Sequence, residues 1–302
     1  MRRFSLPLVA ALAAVAAACS GDTAAAPERT LPPVRIAEPG ALALDSRGGL
    51  LVADRKLNRV VRIDLRTGRR RLVATRLRDI VALAFDDMGR LYVGAGDRIL
   101  RLDGARRTVI AGTGRRGRTG DGGPATAATL GGLGGFEIDH DETVTISEYD
   151  NGIRFVDETG TIATIAGTGA EGYAGDGGPA RAALLRHPHD LALRIDREVI
   201  VADSHNRVLR RIAPDGRIST FADGFSSPIA VKGGPGNTLY VADGGAGAIV
   251  RLSPDGRTRS VVGRANGPIN LAVDQTGVYV SEIAGARRVL RITGGRTRVL
   301  VQ

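Results

Sequence analysis

Five carboxylates hold the same place in a short recurring motif. Asp54, Glu148, Asp203, Asp243 and Glu282 each close a triplet such as Val52-Ala53-Asp54 or Val201-Ala202-Asp203. Gathered around one axis, they would form a funnel of oxygen ligands suited to a hard divalent cation, calcium or magnesium. A local role competes with that one. An Asp at a strand end accepts hydrogen bonds from nearby backbone amides in an Asx-type turn, and for most of the five this is the expected role. Asp190 and Asn270 stand apart. About ten residues ahead of the acidic triplets lies an apolar unit, preceded by Ala41, Ala82, Gly135 and Pro228 in four copies and by Asp190 and Asn270 in the other two. These two side chains are expected at the mouth of a channel. There Asp190, Asn270 and Glu148 are the candidate metal ligands, and hydrogen bonding to adjoining loops is the plainer role. His189, in His187-Pro188-His189-Asp190, adds a candidate ligand or base beside them.

Two glycine-rich segments, Gly120-Asp121-Gly122-Gly123-Pro124 and Gly175-Asp176-Gly177-Gly178-Pro179, have the composition of phosphate-binding loops. Neither is followed by Lys-Ser or Lys-Thr, so a structured turn leading into one helical turn is expected instead. Gly-x-Ser-x-Gly and His-Glu-x-x-His are both missing. The only cysteine is Cys19, which excludes an internal disulfide and a thiolate zinc site.

The elements that position these residues follow from repetition. The apolar unit recurs as Leu42-Ala43-Leu44, Leu83-Ala84-Phe85, Phe136-Glu137-Ile138, Leu191-Ala192-Leu193, Ile229-Ala230-Val231 and Leu271-Ala272-Val273. Each copy, about 40 residues or somewhat longer, reads as four short strands with alternating apolar residues. In the fourth copy these are residues 191–195, 199–202, 208–212 and 218–221. Pro214-Asp215-Gly216 marks a turn between strands. Six four-stranded repeats of this length predict a six-bladed β-propeller over residues 38–302. All four strands of the last copy lie at the C-terminus, so the ring is expected to close without strand exchange unless residues 34–37 add an outer strand.

Residues 201–212, Val201-Ala202-Asp203-Ser204-His205-Asn206-Arg207-Val208-Leu209-Arg210-Arg211-Ile212, resemble the core of an NHL repeat. Asn58-Arg59-Val60 keeps part of the same pattern. Residues 111–130 and 166–185 are identical at 14 of 20 positions and resemble the element between blades of bacterial NHL proteins. The resemblance implies a propeller but no single activity, because propellers host many. In propellers similar to regucalcin and gluconolactonase, an Asn or Asp at comparable strand starts holds a metal. That likeness implies the metal-dependent alternative, a lactonase- or lyase-like enzyme at the channel mouth.

The N-terminus reads as an address. Arg2 and Arg3 precede an apolar run at residues 8–18, then Cys19. This is a secretory signal, too short to span a bilayer. Ala16-Ala17-Ala18-Cys19 resembles a lipobox, in which the cysteine becomes the lipidated first residue. Residues 1–18 are therefore expected to be a signal peptide and residues 19–37 a flexible tether. The chain is expected outside the cytoplasm, anchored through Cys19. The net charge of +10 falls to about +8 without Arg2 and Arg3. That location, with few aromatics for stacking bases, argues against nucleic acid. The sequence thus predicts a monomeric, cofactor-free module that binds a protein, peptide or glycan on its loop-rich face.

Overall fold

A computed structural model describes residues 34–302. The expected signal peptide, Cys19 and most of the expected tether lie outside the described residues. Twenty-four strands, β1 to β24 in chain order, form six sheets of four consecutive antiparallel strands. The chain is a six-bladed β-propeller. Blade six uses β21 (Pro268–Asp274), β22 (Gly277–Glu282), β23 (Val289–Thr293) and β24 (Arg296–Val301), and residues 34–37 add no strand to it.

Packing explains the closure. Each blade buries both of its faces, so there is no single core but six apolar clusters, one at each interface between blades. The cluster joining blade six to blade one includes Leu42, Leu50, Val52, Tyr279, Val289 and Val301. It has the same character as the others. Burying a large aliphatic or aromatic side chain contributes roughly 1.5–3 kcal/mol, so this interface holds the ring shut without a shared sheet.

The innermost strands are β1 (Pro39–Leu44), β5 (Ile80–Phe85), β9 (Leu133–Ile138), β13 (Pro188–Leu193), β17 (Pro228–Gly234) and β21. Six strands converge on one axis, and small side chains relieve the crowding. The third residues are Ala41, Ala82, Gly135, Asp190, Ala230 and Asn270. The fifth are Ala43, Ala84, Glu137, Ala192, Lys232 and Ala272. Asp190 and Asn270 therefore sit inside their strands rather than ahead of them, and β13 begins three residues earlier than expected. The cause is a register shift near the second residue of each innermost strand. A bulge there breaks the two-residue alternation from which strand starts are read. It also makes Ala230, not Pro228, the counterpart of Asp190.

Candidate functional site

The five repeated carboxylates do not line the channel mouth. Asp54, Glu148 and Asp203 are 0% exposed, Asp243 4% and Glu282 1%. Four of them accept hydrogen bonds from the loop that enters their own blade. Asp54 takes Ala37 N and Glu38 N, Asp203 takes Arg186 N, Asp243 takes Ser226 N and Ser227 N, and Glu282 takes Asn266 N. Arg59 and Arg288 add ion pairs to Asp54 and Glu282. A strand-end carboxylate meets unpaired loop amides before it meets solvent, and for these four the expected local role, not the funnel, is what the fold uses.

Glu148 is the exception. Neither carboxylate oxygen has a hydrogen-bond partner, and the nearest cation, Arg154 Nη1, is 3.5 Å away. Burial pushes its carboxyl up to about 7, with Arg154 pulling only partly the other way. Arg154, 0% exposed, is held mainly by Asp121 at 2.6 Å. Blade four repeats the arrangement with Arg210 and Asp176 at 2.6 Å. Asp121 and Asp176 come from the two glycine-rich segments. Their side chains also accept Thr164 N and Thr220 N, so each segment clamps the outer strands of the following blade. Single 3-10 turns, Ala125–Ala127 and Ala180–Ala182, follow each segment.

Asp190 and Asn270 act as staples between blades. An innermost strand has one edge without a strand partner, and its amides need acceptors. Asp190 Oδ2 accepts Val231 N of blade five at 3.1 Å, and Asn270 Oδ1 accepts Leu42 N of blade one at 3.0 Å. Asp190 also lies 3.4 Å from Lys232 Nζ, which pairs with Glu137 at 2.5 Å. Burial raises the Asp190 carboxyl to about 6 against the opposing pull of Lys232. Asp190 and Glu137 in turn hold the Lys232 ammonium above its ordinary range despite desolvation. Lys232 and Glu137 went unnoticed in the sequence; their signal is that they interrupt a position otherwise filled by alanine. They line an axial cavity of about 390 Å³ at the C-terminal ends of the innermost strands, opposite the expected mouth. A lysine occupies the place beside Asp190, and Asn270 is committed to Leu42. Glu148 is fully buried, with Arg154 Nη1 3.5 Å away. Among the described residues no group of three His, Cys, Asp or Glu is placed to hold a metal ion, so these residues do not fit a calcium or magnesium centre.

At the loop-rich end, four rings gather from three segments. Tyr149 follows β10 (Val144–Glu148), His187 immediately precedes β13, His189 lies at the bulge of β13, and His205 sits in a 3-10 turn, Ser204–Asn206. His187 stacks between Tyr149 and His205, each with ring centroids 4.5 Å away, at interplanar angles of 10° and 9°. Tyr149 Oη lies 3.3 Å from His189 Nε2. Asn151 sets this up, accepting His187 N at 2.8 Å while its amide donates to Gly169 O. His187 takes φ +54° there. Burial, with His187 nearby, lowers His189 to about 4, and burial raises Tyr149 to about 12. The phenol and the imidazole are therefore both neutral at neutral pH and share this hydrogen bond. His205 is exposed and the other three rings are half-buried. Arg116, paired with Asp150 at 2.7 Å, and Arg186, paired with Glu171 at 3.3 Å, flank the cluster. The result is a ring strip with charged borders, able to stack a planar or sugar-like group and hydrogen-bond its edge.

No protein-family model and no curated protein matches the chain. Solved structures do. Virginiamycin B lyase from Staphylococcus aureus is similar with a TM-score of 0.60 at 15% identity, over 88% of this chain and 84% of that one. A gluconolactonase from Xanthomonas campestris gives 0.63 at 14%, over 87% and 85%. The calcium-binding protein regucalcin from Agrobacterium tumefaciens gives 0.62 at 15%, over 89% and 93%. At such identities the likeness shows the six-bladed propeller fold alone, and the NHL resemblance rests on the residues quoted above.

Proposed function

We propose that this chain is an NHL-type propeller, anchored through a lipidated Cys19 outside the cytoplasm, that binds a protein, peptide or glycan on its loop-rich face. The Tyr149–His187–His205 stack carries the reading. It offers aromatic faces and a hydrogen-bonding edge at the channel mouth, the equipment of recognition. The address read from residues 1–19 supports the location, and no catalytic motif competes with a binding role.

The metal-dependent alternative draws on the fold it shares with a lyase, a gluconolactonase and a calcium-binding protein. It requires Asp190, Asn270 and Glu148 to converge on one ion, whereas each is engaged elsewhere or shielded. Binding of the mature chain to glycan and peptide arrays tests the proposal. Hits should weaken about tenfold in Tyr149→Ala and His187→Ala, the loss of roughly one stacking contact. Hits indifferent to both substitutions would remove the ring strip as the site. A rise in melting temperature with added calcium or magnesium, together with lactone hydrolysis, would favour the enzyme reading.

A further inference from the structure

A groove runs along the outer edge of the ring where blade six meets blade one. Its walls are the turn at residues 64–68 and strands β23 and β24, and it encloses about 250 Å³. Arg66, Arg291 and Arg298 line it, and a depression beside it adds Arg296. Among the described residues none of these four arginines forms an ion pair, whereas nearby Arg62 and Arg288 do. Asp64 is the acidic member of the lining. It is engaged by the amides of Arg66 and Thr67, by the Thr67 hydroxyl, and distantly by Arg62.

Arg291 and Arg298 stand directly opposite each other in the sheet register. Arg291 Nη2 donates to Thr276 Oγ1 at 2.9 Å and its guanidinium lies 5.7 Å from the centre of the Tyr279 ring, so the facing like charge, which destabilises a strand pair, would be relieved by an anion held on the Arg298 side. Leu72, on the outermost strand of blade one, is 47% exposed, and Val299 beside Arg298 is 41% exposed. The carbonyl of Val34, the first described residue, lies 3.4 Å from Arg70 Nη1. The chain therefore enters the propeller at this same edge.

We infer that this edge is a docking surface for a membrane containing anionic phospholipid. Lipid phosphates meet Arg66, Arg296 and Arg298, and Leu72 and Val299 reach the headgroup boundary. Arginine forks match phosphate oxygens in pairs. Basic side chains next to exposed apolar ones suit an anionic interface. Docking edge-on leaves the loop-rich face open, so the inference deepens the reading of an anchored binder by orienting it.

The test uses residues 19–302 carrying Cys19→Ser, which keeps every described strand and removes the apolar leader. Co-sedimentation is measured with phosphatidylglycerol-containing vesicles and with pure phosphatidylcholine vesicles. Binding is expected only to the former and should weaken as salt rises from about 50 to about 300 mM, through the range where the Debye length shrinks. The triple substitution Arg66→Glu, Arg296→Glu, Arg298→Glu should lose binding by about tenfold or more. Arg115→Glu, Arg181→Glu, Arg197→Glu changes charge equally on other exposed arginines and should retain it. Equal losses in both variants, no binding to either vesicle, or equal capture of a DNA duplex would overturn the inference. The array experiment is independent, so failure of the ligand reading and failure of this surface are separate results.

Discussion

Glu148→Gln should stabilise this protein at pH 8 and leave it unchanged near pH 4.5. Glu148 is fully buried, without a hydrogen-bond donor on either oxygen, and its carboxyl sits near 7 against an ordinary value of 4.5. A group whose folded pKa is raised holds an extra proton in the folded state between those two values. Its contribution is therefore largest below about 4.5 and is lost as pH rises through about 7. The gap of roughly 2.5 pK steps corresponds to about 3 kcal/mol at 1.36 kcal/mol each. Glutamine keeps the shape without the charge. Arg154 loses a neighbour at 3.5 Å but keeps Asp121 at 2.6 Å, so the net gain at pH 8 should be roughly 1–3 kcal/mol. Urea denaturation of variant and parent at both pH values measures it. The difference between the two chains is the quantity to read, because other groups titrate as well. Asp190 acts in the same direction as Glu148. His189, lowered to about 4, works oppositely, its contribution being lost as pH falls from 6.5 toward 4. A variant less stable than the parent at pH 8 by about 2 kcal/mol or more would show that Glu148 is an ionised partner of Arg154, and the reasoning would fail.

Lys232→Met leaves Asp190 and Glu137 without their shared cation and should cost about 3–5 kcal/mol; adding Asp190→Asn and Glu137→Gln should recover most of it in the same denaturation assay. Gly135→Ala places a methyl 2.1 Å from Asp190 Oδ1, and the overpacking should cost about 1–3 kcal/mol, read as a lower urea midpoint at unchanged slope. Asp176→Ala removes the clamp on Arg210, at about 1.5–3 kcal/mol. Limited proteolysis should then cut within residues 166–185 first, whereas a parent-like cleavage pattern would show that the segment is held by other contacts.

The architecture was readable because a blade is a local object. Apolar alternation, turn residues and the recurring triplets are written within about 40 residues, and a sheet with two apolar faces can hide both only by stacking on copies of itself. That logic gives six blades without any long-range contact. The local fate of Asp54, Asp203, Asp243 and Glu282 was readable for the same reason. Position along the axis was not. The bulge near the second residue of each innermost strand shifts the register by one, and Asp190 and Asn270 moved from the mouth into the channel wall. Lys232 and Glu137 lie 95 residues apart in the chain, and only closure of the ring brings their charges to 2.5 Å. Likewise, the Tyr149 and histidine strip joins three segments of two blades, and no spacing rule links a residue after one strand to a bulge and a turn of the next blade. Sequence decided what each blade is, since a blade's energetics are local. Tertiary structure decided what faces the axis and the outer edge, because there side chains meet partners that chain proximity does not choose.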